Sequence, residues 1–417
     1  MKKFNMPSLL TGRFATGIDL GSSKFCCWTG VWEREEEVKI IGAGHAAARG
    51  IEGGNLVDVG ALESQITAAI YEAERQSNVQ IHQAVVTLNG HFFYSDYHVL
   101  KSSIYEGVVT QKLLDQLWGR FLSRHQDYFP LHFIPLEFCV DDQDRIKDPR
   151  GMSGVNLMCY CHVVWVHKGR FNTLVECLKR CQIQLSGLLL GLYSSGLACL
   201  TSDEQELGAT IIDMGAQSTG MGFFFQGRLV GSKTVKLGGD HITQDIARGC
   251  ETPIQHAERI KVLYGAALPT SSDHKEMIPV ASLGGGDTMG HIARSFLINI
   301  IQARSEEICR MMKMKMDEVC ATQPFSCQRI VLTGGGSQLP GMRELVAQVL
   351  ERPVRIAKSY PLKQAPRVCG EFSAVSGTFF YQDAFNDFQC SALSSFIPNY
   401  RSKSFWSRLN TLFKKEN

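Results

Sequence analysis

Ile18-Asp19-Leu20-Gly21-Ser22-Ser23 and Ile212-Asp213-Met214-Gly215-Ala216-Gln217-Ser218 follow one plan. In each, a β-rich run ends on an aspartate, a glycine follows two positions later, and small or polar residues turn the chain into a second β-rich run. Around the first copy the runs are 14–20 and 24–31, a hairpin by its signals, with a third strand over 38–44 beyond the acidic loop 33–37. Around the second they are 208–214, 220–225 and 228–235. The chain therefore carries an approximate internal duplication.

Glycine and small residues in such a turn expose successive backbone N–H groups, so an anion such as a phosphate can approach the main chain. The aspartates serve a different purpose. Two carboxylates facing each other across a cleft repel unless a cation lies between them, and a nucleotide-borne Mg²⁺, held through its waters, suits that position. Either turn alone is an ordinary hairpin; the pair, at matching places in similar units, points to a shared site.

A third element is Ile330-Val331-Leu332-Thr333-Gly334-Gly335-Gly336-Ser337-Gln338-Leu339-Pro340-Gly341, a buried-strand run entering a triple glycine. A helical pattern, 342–350, follows it. Without side chains at Gly334, Gly335 and Gly336, a flat base or a phosphate can lie against the backbone. The triplet Gly284-Gly285-Gly286 lacks that strand context and reads as loop.

Composition sets the limits. The 417 residues suit two or three domains, and 44% hydrophobic with 20% charged residues is ordinary for a globular protein. A net charge of +2 carries no polyanion signature, so nucleic acid is not an expected partner. The 14 cysteines include no Cys-x-x-Cys and are expected to be reduced, mostly buried thiols in a cytoplasmic protein. The 12 histidines form no metal-ligand spacing, and Met311, Met312, Met314 and Met316 fall in an expected helix, 292–319, as packing residues. No apolar run reaches signal-peptide or membrane-span length, so neither secretion nor transmembrane insertion is expected.

The two Asp-x-Gly turns and the triple glycine, in this order, resemble the two phosphate motifs and the adenosine motif of the actin, heat-shock-70 and sugar-kinase superfamily. Within it the sequence is similar to the FtsA family of bacterial cell-division proteins. Pro135-Leu136-Glu137-Phe138-Cys139-Val140-Asp141-Asp142-Gln143, the stretch 146–154, Leu237-Gly238-Gly239-Asp240-His241-Ile242-Thr243 and Ala257-Glu258-Arg259-Ile260-Lys261-Val262-Leu263-Tyr264-Gly265 carry this resemblance. It implies an α/β, two-lobed actin-like ATPase fold with an inserted subdomain, 1C, and a C-terminal amphipathic helix. The implied first-lobe core is 1–83 and 164–200, interrupted by 1C at 84–163. The second-lobe core is 201–239 and 306–369, with a small subdomain, 2B, at 240–305. A helix at 370–385 returns to the first lobe, a linker covers 386–402 and a membrane-targeting helix 403–417.

For the site, the resemblance implies that Asp19 and Asp213 order the waters of Mg²⁺. Gly21, Ser22, Ser23, Gly215 and Ser218 would line the phosphates of ATP, and Lys24 would add a point charge. Glu258 and Lys261 would flank the ribose, and Gly334 to Gly336 would support the adenine; without the resemblance, Glu258 and Lys261 read as a solvated helix face. Where the family usually has Thr-Thr-Asp after the second phosphate turn, this chain has Ser218-Thr219-Gly220. No other residue identifies a base for attacking water, so no catalytic residue is assigned and slow or negligible ATP turnover is expected.

The stretch 386–402 is rich in serine and asparagine and suits a flexible linker. Beyond it, at 100° per residue, Phe405, Trp406, Leu409, Leu412 and Phe413 fall within about 120° of arc. With Arg408, Lys414 and Lys415 they form a basic amphipathic helix about 22 Å long, too short to span a bilayer and suited to lie on an anionic lipid surface. Glu416 points into the apolar arc where the helix should fray.

The resemblance thus implies an ATP-bound protein that polymerises like actin and binds the C-terminal peptide of the tubulin-like division protein FtsZ. It would tether FtsZ to the cytoplasmic face of the inner membrane at the division site and recruit later division proteins. The actin-like platform protein of type IV pilus assembly has a similar insertion and is the main alternative. A small-molecule kinase would need an aspartate base that no residue in a matching context supplies, and a heat-shock-70 chaperone is not expected because no peptide-binding domain follows.

Overall fold

A computed structural model of the chain describes residues 14–34, 37–125, 127–282, 289–322, 329–358, 362–364 and 370–381. The linker, the membrane-targeting helix and the triplet Gly284 to Gly286 lie outside them.

The chain opens with β1 (Phe14–Leu20), β2 (Lys24–Arg34) and β3 (Glu37–Ala47), which pair antiparallel in sequence. A short hairpin, β4 (Ile51–Glu52) and β5 (Asn55–Leu56), leads to helix α1 (Val59–Ser77), and β6 (Gln83–Leu88) then pairs parallel with β1. Helix α1 starts where Asp58 accepts a bond from the Ala61 N–H, and ends at Asn78 in the left-handed region. Leu62, Ile66, Ile70 and Ala73 recur at helical spacing and are buried on its inner face. Each large one contributes roughly 1.5–3 kcal/mol by that burial.

Next comes an inserted unit: β7 (Phe93–Ser103), α2 (Gln111–Leu122), β8 (Tyr128–Val140), β9 (Gln143–Ile146) and β10 (Asn156–His167). Its four strands form a separate sheet, ordered β7-β10-β8-β9, with α2 packed on it through Leu114, Leu117, Trp118 and Phe121. The insertion expected at 84–163 begins later. Residues 83–88 are a central strand of the first sheet, apolar because both faces are covered, and this separates them from the insert.

Helix α3 (Lys168–Arg180) and strand β11 (Gln184–Leu190) complete the first lobe, whose sheet runs β11-β6-β1-β2-β3. Helices α4 (Gly191–Cys199) and α5 (Ser202–Leu207) lead into the second. There β12 (Ala209–Met214), β13 (Thr219–Phe225) and β14 (Arg228–Val235) precede α6 (Gly239–Gly249), α7 (Ile254–Tyr264), β15 (Met277–Ala281), β16 (Met289–Ala293) and α8 (Arg294–Thr322). Then come β17 (Ile330–Thr333), α9 (Met342–Leu350) and β18 (Val354–Ile356). The second sheet runs β14-β13-β12-β17-β18. Read from the hairpin side, both sheets are three antiparallel strands followed by two parallel ones, so the duplication seen in the turns extends to whole sheets.

Helix α8 starts after β16, later than expected, and serves two cores. Leu297 and Ile301 pack with α6 and α7, whereas Ile308, Met312 and Met316 lie under the second sheet. A domain boundary at 305 would therefore cut a continuous helix. Met311 and Met314, on its other side, are exposed.

The lobes join where α4 crosses α10 (Ser373–Gly377), a helix shorter than the return helix expected at 370–385. Ser194 Oγ donates to Ala374 O at 2.6 Å, and a Cβ at Gly377 would sit 1.7 Å from Ser194 O, so only glycine permits the crossing. The insert also reaches the second lobe. Arg228 on β14 donates to Pro135 O at 2.7 Å, Ser95 Oγ donates to Ser232 O at 3.0 Å, and His162 Nδ1 donates to Leu229 O at 3.1 Å.

Candidate functional site

A cleft of about 600 Å³ lies between the lobes, and every cofactor-binding residue expected from the sequence lines it: Asp19, Gly21, Ser22, Ser23, Lys24, Asp213, Gly215, Ser218, Glu258, Lys261, Gly334, Gly335 and Gly336. The two turns are near-copies in space. A Cβ at Gly21 would lie 2.9 Å from Lys24 O, and one at Gly215 would lie 2.9 Å from Ser218 O. The second turn is further fixed by α6, whose Gly239 and Asp240 N–H groups donate to Gly215 O and Ala216 O at 3.0 and 2.8 Å.

Strand register places the carboxylates. Asp19 stands beside Thr87 on β6, whose hydroxyl donates to it at 2.8 Å; Asp213 accepts from Asn89 Nδ2 at 3.0 Å. Burial pushes the Asp19 carboxyl up to about 6, against the opposing influence of Thr87 and Lys24. Asp213 is pushed up to about 7 by burial and then by the charge of Asp19. The two thus sense each other across the cleft. Asn89 Oδ1 is buried with no hydrogen-bond partner among the described residues.

At the far side, Gly334 has φ +85°, and a Cβ there would lie 2.4 Å from Asp213 Oδ1. The triple glycine therefore lets β17 pass directly behind the second carboxylate. Ile242, Val262, Leu339 and Pro340 supply an apolar wall near it. Lys261 is no solvated side chain: its ammonium donates to Gly239 O at 3.1 Å and Thr243 Oγ1 at 2.8 Å and pairs with Glu258 at 2.6 Å. It pins α7 to the start of α6. Lys24 pairs with Glu371 at 2.9 Å and lies 3.7 Å over the Phe372 ring. Gly220 faces Asp213 across the β12–β13 pair, and a Cβ there would lie 2.8 Å from Leu192 Cδ2.

Asn89, Asp240 and Glu371 also line the cleft and were missed from the sequence. Asn89 follows a buried strand that ends Leu88-Asn89-Gly90, a weak signal. Asp240 lies inside a segment that carried the family resemblance and Glu371 inside the implied return helix, and neither had an assigned role.

Two mixed sheets of the same order, hinged at α4 and α10 around a cleft with paired carboxylates, define a two-lobed actin-like fold. A family model described as cell division protein FtsA matches residues 210–373, and one described as the SHS2 domain inserted in FtsA matches 93–165. Cell division protein FtsA of Rhizobium meliloti (strain 1021) is 33% identical over 380 residues, covering 87% of this chain and 86% of that protein. The chain belongs to the FtsA family of cell-division proteins. In fold it is similar to the PilM-PilN type IV pilus biogenesis complex, with TM-score 0.61, 15% identity and coverage of 87% of this chain and 97% of that one. It is also similar to MreB 5 of Spiroplasma citri bound to AMPPNP, with TM-score 0.56, 11% identity and coverage of 91% and 98%.

Among the described residues no group of three or more His, Cys, Asp or Glu forms a metal cluster, and no helix is long and apolar enough to cross a membrane.

Proposed function

We propose that the chain binds ATP with Mg²⁺ in the interlobe cleft, assembles into actin-like filaments, and anchors the FtsZ ring to the cytoplasmic face of the inner membrane while recruiting later division proteins. The observation that carries the nucleotide reading is the meeting of both Asp-x-Gly turns and the triple glycine around one cleft. The lining fits a hard divalent cation: Asp19 and Asp213 offer carboxylate oxygens, and no thiol or imidazole is among the lining residues. Mg²⁺ would neutralise the phosphates. The protein's part is to present the turn N–H groups of Gly21 to Ser23 and Gly215 to Ser218, to close apolar residues on the base, and to hold the lobes about it. The AMPPNP-bound MreB of similar fold supports this reading by analogy.

Hydrolysis is expected to be slow. Gly220 stands where the family has an acidic residue, and Leu192 fills the space beside it. The nucleotide then acts as an assembly switch more than a substrate. Membrane attachment rests on the basic amphipathic pattern of 403–417, outside the described residues. The pilus-platform alternative is less favoured, since that likeness is one of fold at 15% identity.

Co-sedimentation of the full chain and of a 1–402 truncation with anionic vesicles, with and without ATP, and with FtsZ C-terminal peptide, tests the proposal. Vesicle and peptide binding by the full chain, with vesicle binding lost on truncation, is expected. A full chain that binds neither would overturn it.

A further inference from the structure

The β4–β5 hairpin turns through Gly53 and Gly54, with φ of +56° and +86°, a two-glycine connection of the kind that closes tight hairpins. It belongs to the first lobe, between β3 and α1. Its tip nevertheless bonds to the second lobe: the Gly53 N–H donates to Gln217 Oε1, in the second Asp-x-Gly turn. The Gln217 side chain also lies near the carboxylate of Asp240 at the start of α6 and partly offsets the upward push of burial on it. The tip also rests on Gly90, where a Cβ would sit 2.6 Å from Gly53 O. Gly90 lines the cleft, and Asn89 beside it donates across the cleft to Asp213.

Two side-chain hydrogen bonds therefore cross between lobes at the end of the cleft formed by the two turns, Gly53 to Gln217 and Asn89 to Asp213. The second ends on a carboxylate proposed to serve the cation. The first is made by the Gln217 side chain, which does not line the cleft although its backbone belongs to the second turn, and its removal would free the hairpin while leaving the lining side chains in place.

We propose that the Glu52–Asn55 hairpin is a latch over the phosphate end of the cleft, held shut by Gln217, and that its opening governs release of the bound nucleotide. The proposal rests on the nucleotide reading above. Gln217 is a positioning residue: it fixes the hairpin, the hairpin and Gly90 bar the exit between the turns, and opening requires that one interlobe bond break. Because the hairpin also supports Gly90, opening would loosen the entry into the inserted sheet at Phe93.

The test uses the full chain, wild type and Gln217→Ala, with hydrogen exchange read on the segment 50–57 without nucleotide and stopped-flow release of mant-ATP in Mg²⁺. Loss of one such bond raises the opening equilibrium about two- to tenfold. Exchange at 50–57 should rise by that factor with α1 unchanged, and mant-ATP release should accelerate similarly. Gln217→Met keeps the length without an amide acceptor for the Gly53 N–H and should exchange as fast as the alanine variant. Unchanged exchange in Gln217→Ala refutes the latch, and faster exchange with unaltered release refutes its gating role. A wild-type chain that binds no mant-ATP defeats the nucleotide reading and the gating role together, while the exchange comparison still decides whether Gln217 holds the hairpin.

Discussion

Replacing Asp213 with asparagine should make the nucleotide-free protein more stable at pH 8 and abolish its response to Mg·ATP. The carboxyl is raised from an ordinary 3.8 to about 7, first by burial and then by Asp19. Below pH 3.8 both folded and unfolded chains carry the proton and no penalty arises. As pH rises from 3.8 to about 7, the unfolded chain ionises while the folded chain resists, so stability falls and the loss is complete above 7. At about 1.4 kcal/mol per pH unit, a fully enclosed carboxylate would lose about 4 kcal/mol. Asp213 is half-buried with one edge on the cleft, and solvent screening reduces this to about 1–2 kcal/mol. Asparagine removes the charge and still accepts the Asn89 bond through its carbonyl oxygen. Thermal unfolding from pH 4 to 8 should show the variant gaining about 1–2 °C over wild type at the upper end and converging near pH 4. Saturating Mg·ATP should stabilise the wild type most above pH 7, where the repelling pair is fully ionised, and leave the variant unmoved. A variant less stable than wild type at pH 8, or one that binds Mg·ATP with wild-type affinity in calorimetry, refutes the idea that the pair is strained for want of a cation.

Glu371→Gln frees Lys24 from its carboxylate partner and removes a negative charge from the cleft wall, so ATP affinity should rise about two- to fivefold by calorimetry. Gly220→Asp restores the family's acidic residue but drives a Cβ to within 2.8 Å of Leu192, which should cost about 1–3 kcal/mol in denaturant unfolding and leave phosphate release slow unless Leu192 is also shortened. His162 is pushed down to about 4 by burial, so the seam between insert and β14 is intact above 6.5 and weakens as pH falls toward 4; exchange at 228–235 should rise over that interval, and His162→Gln should flatten the dependence.

The glycine-punctuated parts of this fold were legible because glycine marks backbone events that leave local traces. The hairpin around Gly21, its copy around Gly215, and the helix 342–350 after the triple glycine follow the expected bounds within a residue or a few. Glu258 and Lys261, three apart on α7, read without the resemblance as a solvated helix face, but they pair with each other in the wall of the cleft. What stayed hidden is long-range. Lys24 meets Glu371 from the opposite end of the chain, and no local pattern foretells that its charge is already engaged. Residues 84–88 fall within the insert's implied span of 84–163 although they form a strand of the first sheet, and their apolar composition does not separate a buried central strand from the first strand of a new sheet.

The hidden contacts share a location that local reading could not supply. Asn89–Asp213, Gly53–Gln217 and Arg228–Pro135 each join segments that belong to different lobes or to the insert. A duplicated fold specifies each half by its own pattern, so within a half the sequence is redundant and readable. Between halves, a few polar side chains at the crossings bear on the relative position of the lobes, and single hydrogen bonds worth about 0.5–1.5 kcal/mol are strong enough to bias that position yet weak enough for a ligand to reverse. If the protein switches between assembled and dispersed states, these crossings are where the energy difference is set. Removing both Gln217 and Asn89 side chains should then shift assembly by about the sum, in free energy, of the two single shifts, because both bonds favour the same lobe closure, and a double variant shifted no further than one single variant would refute this.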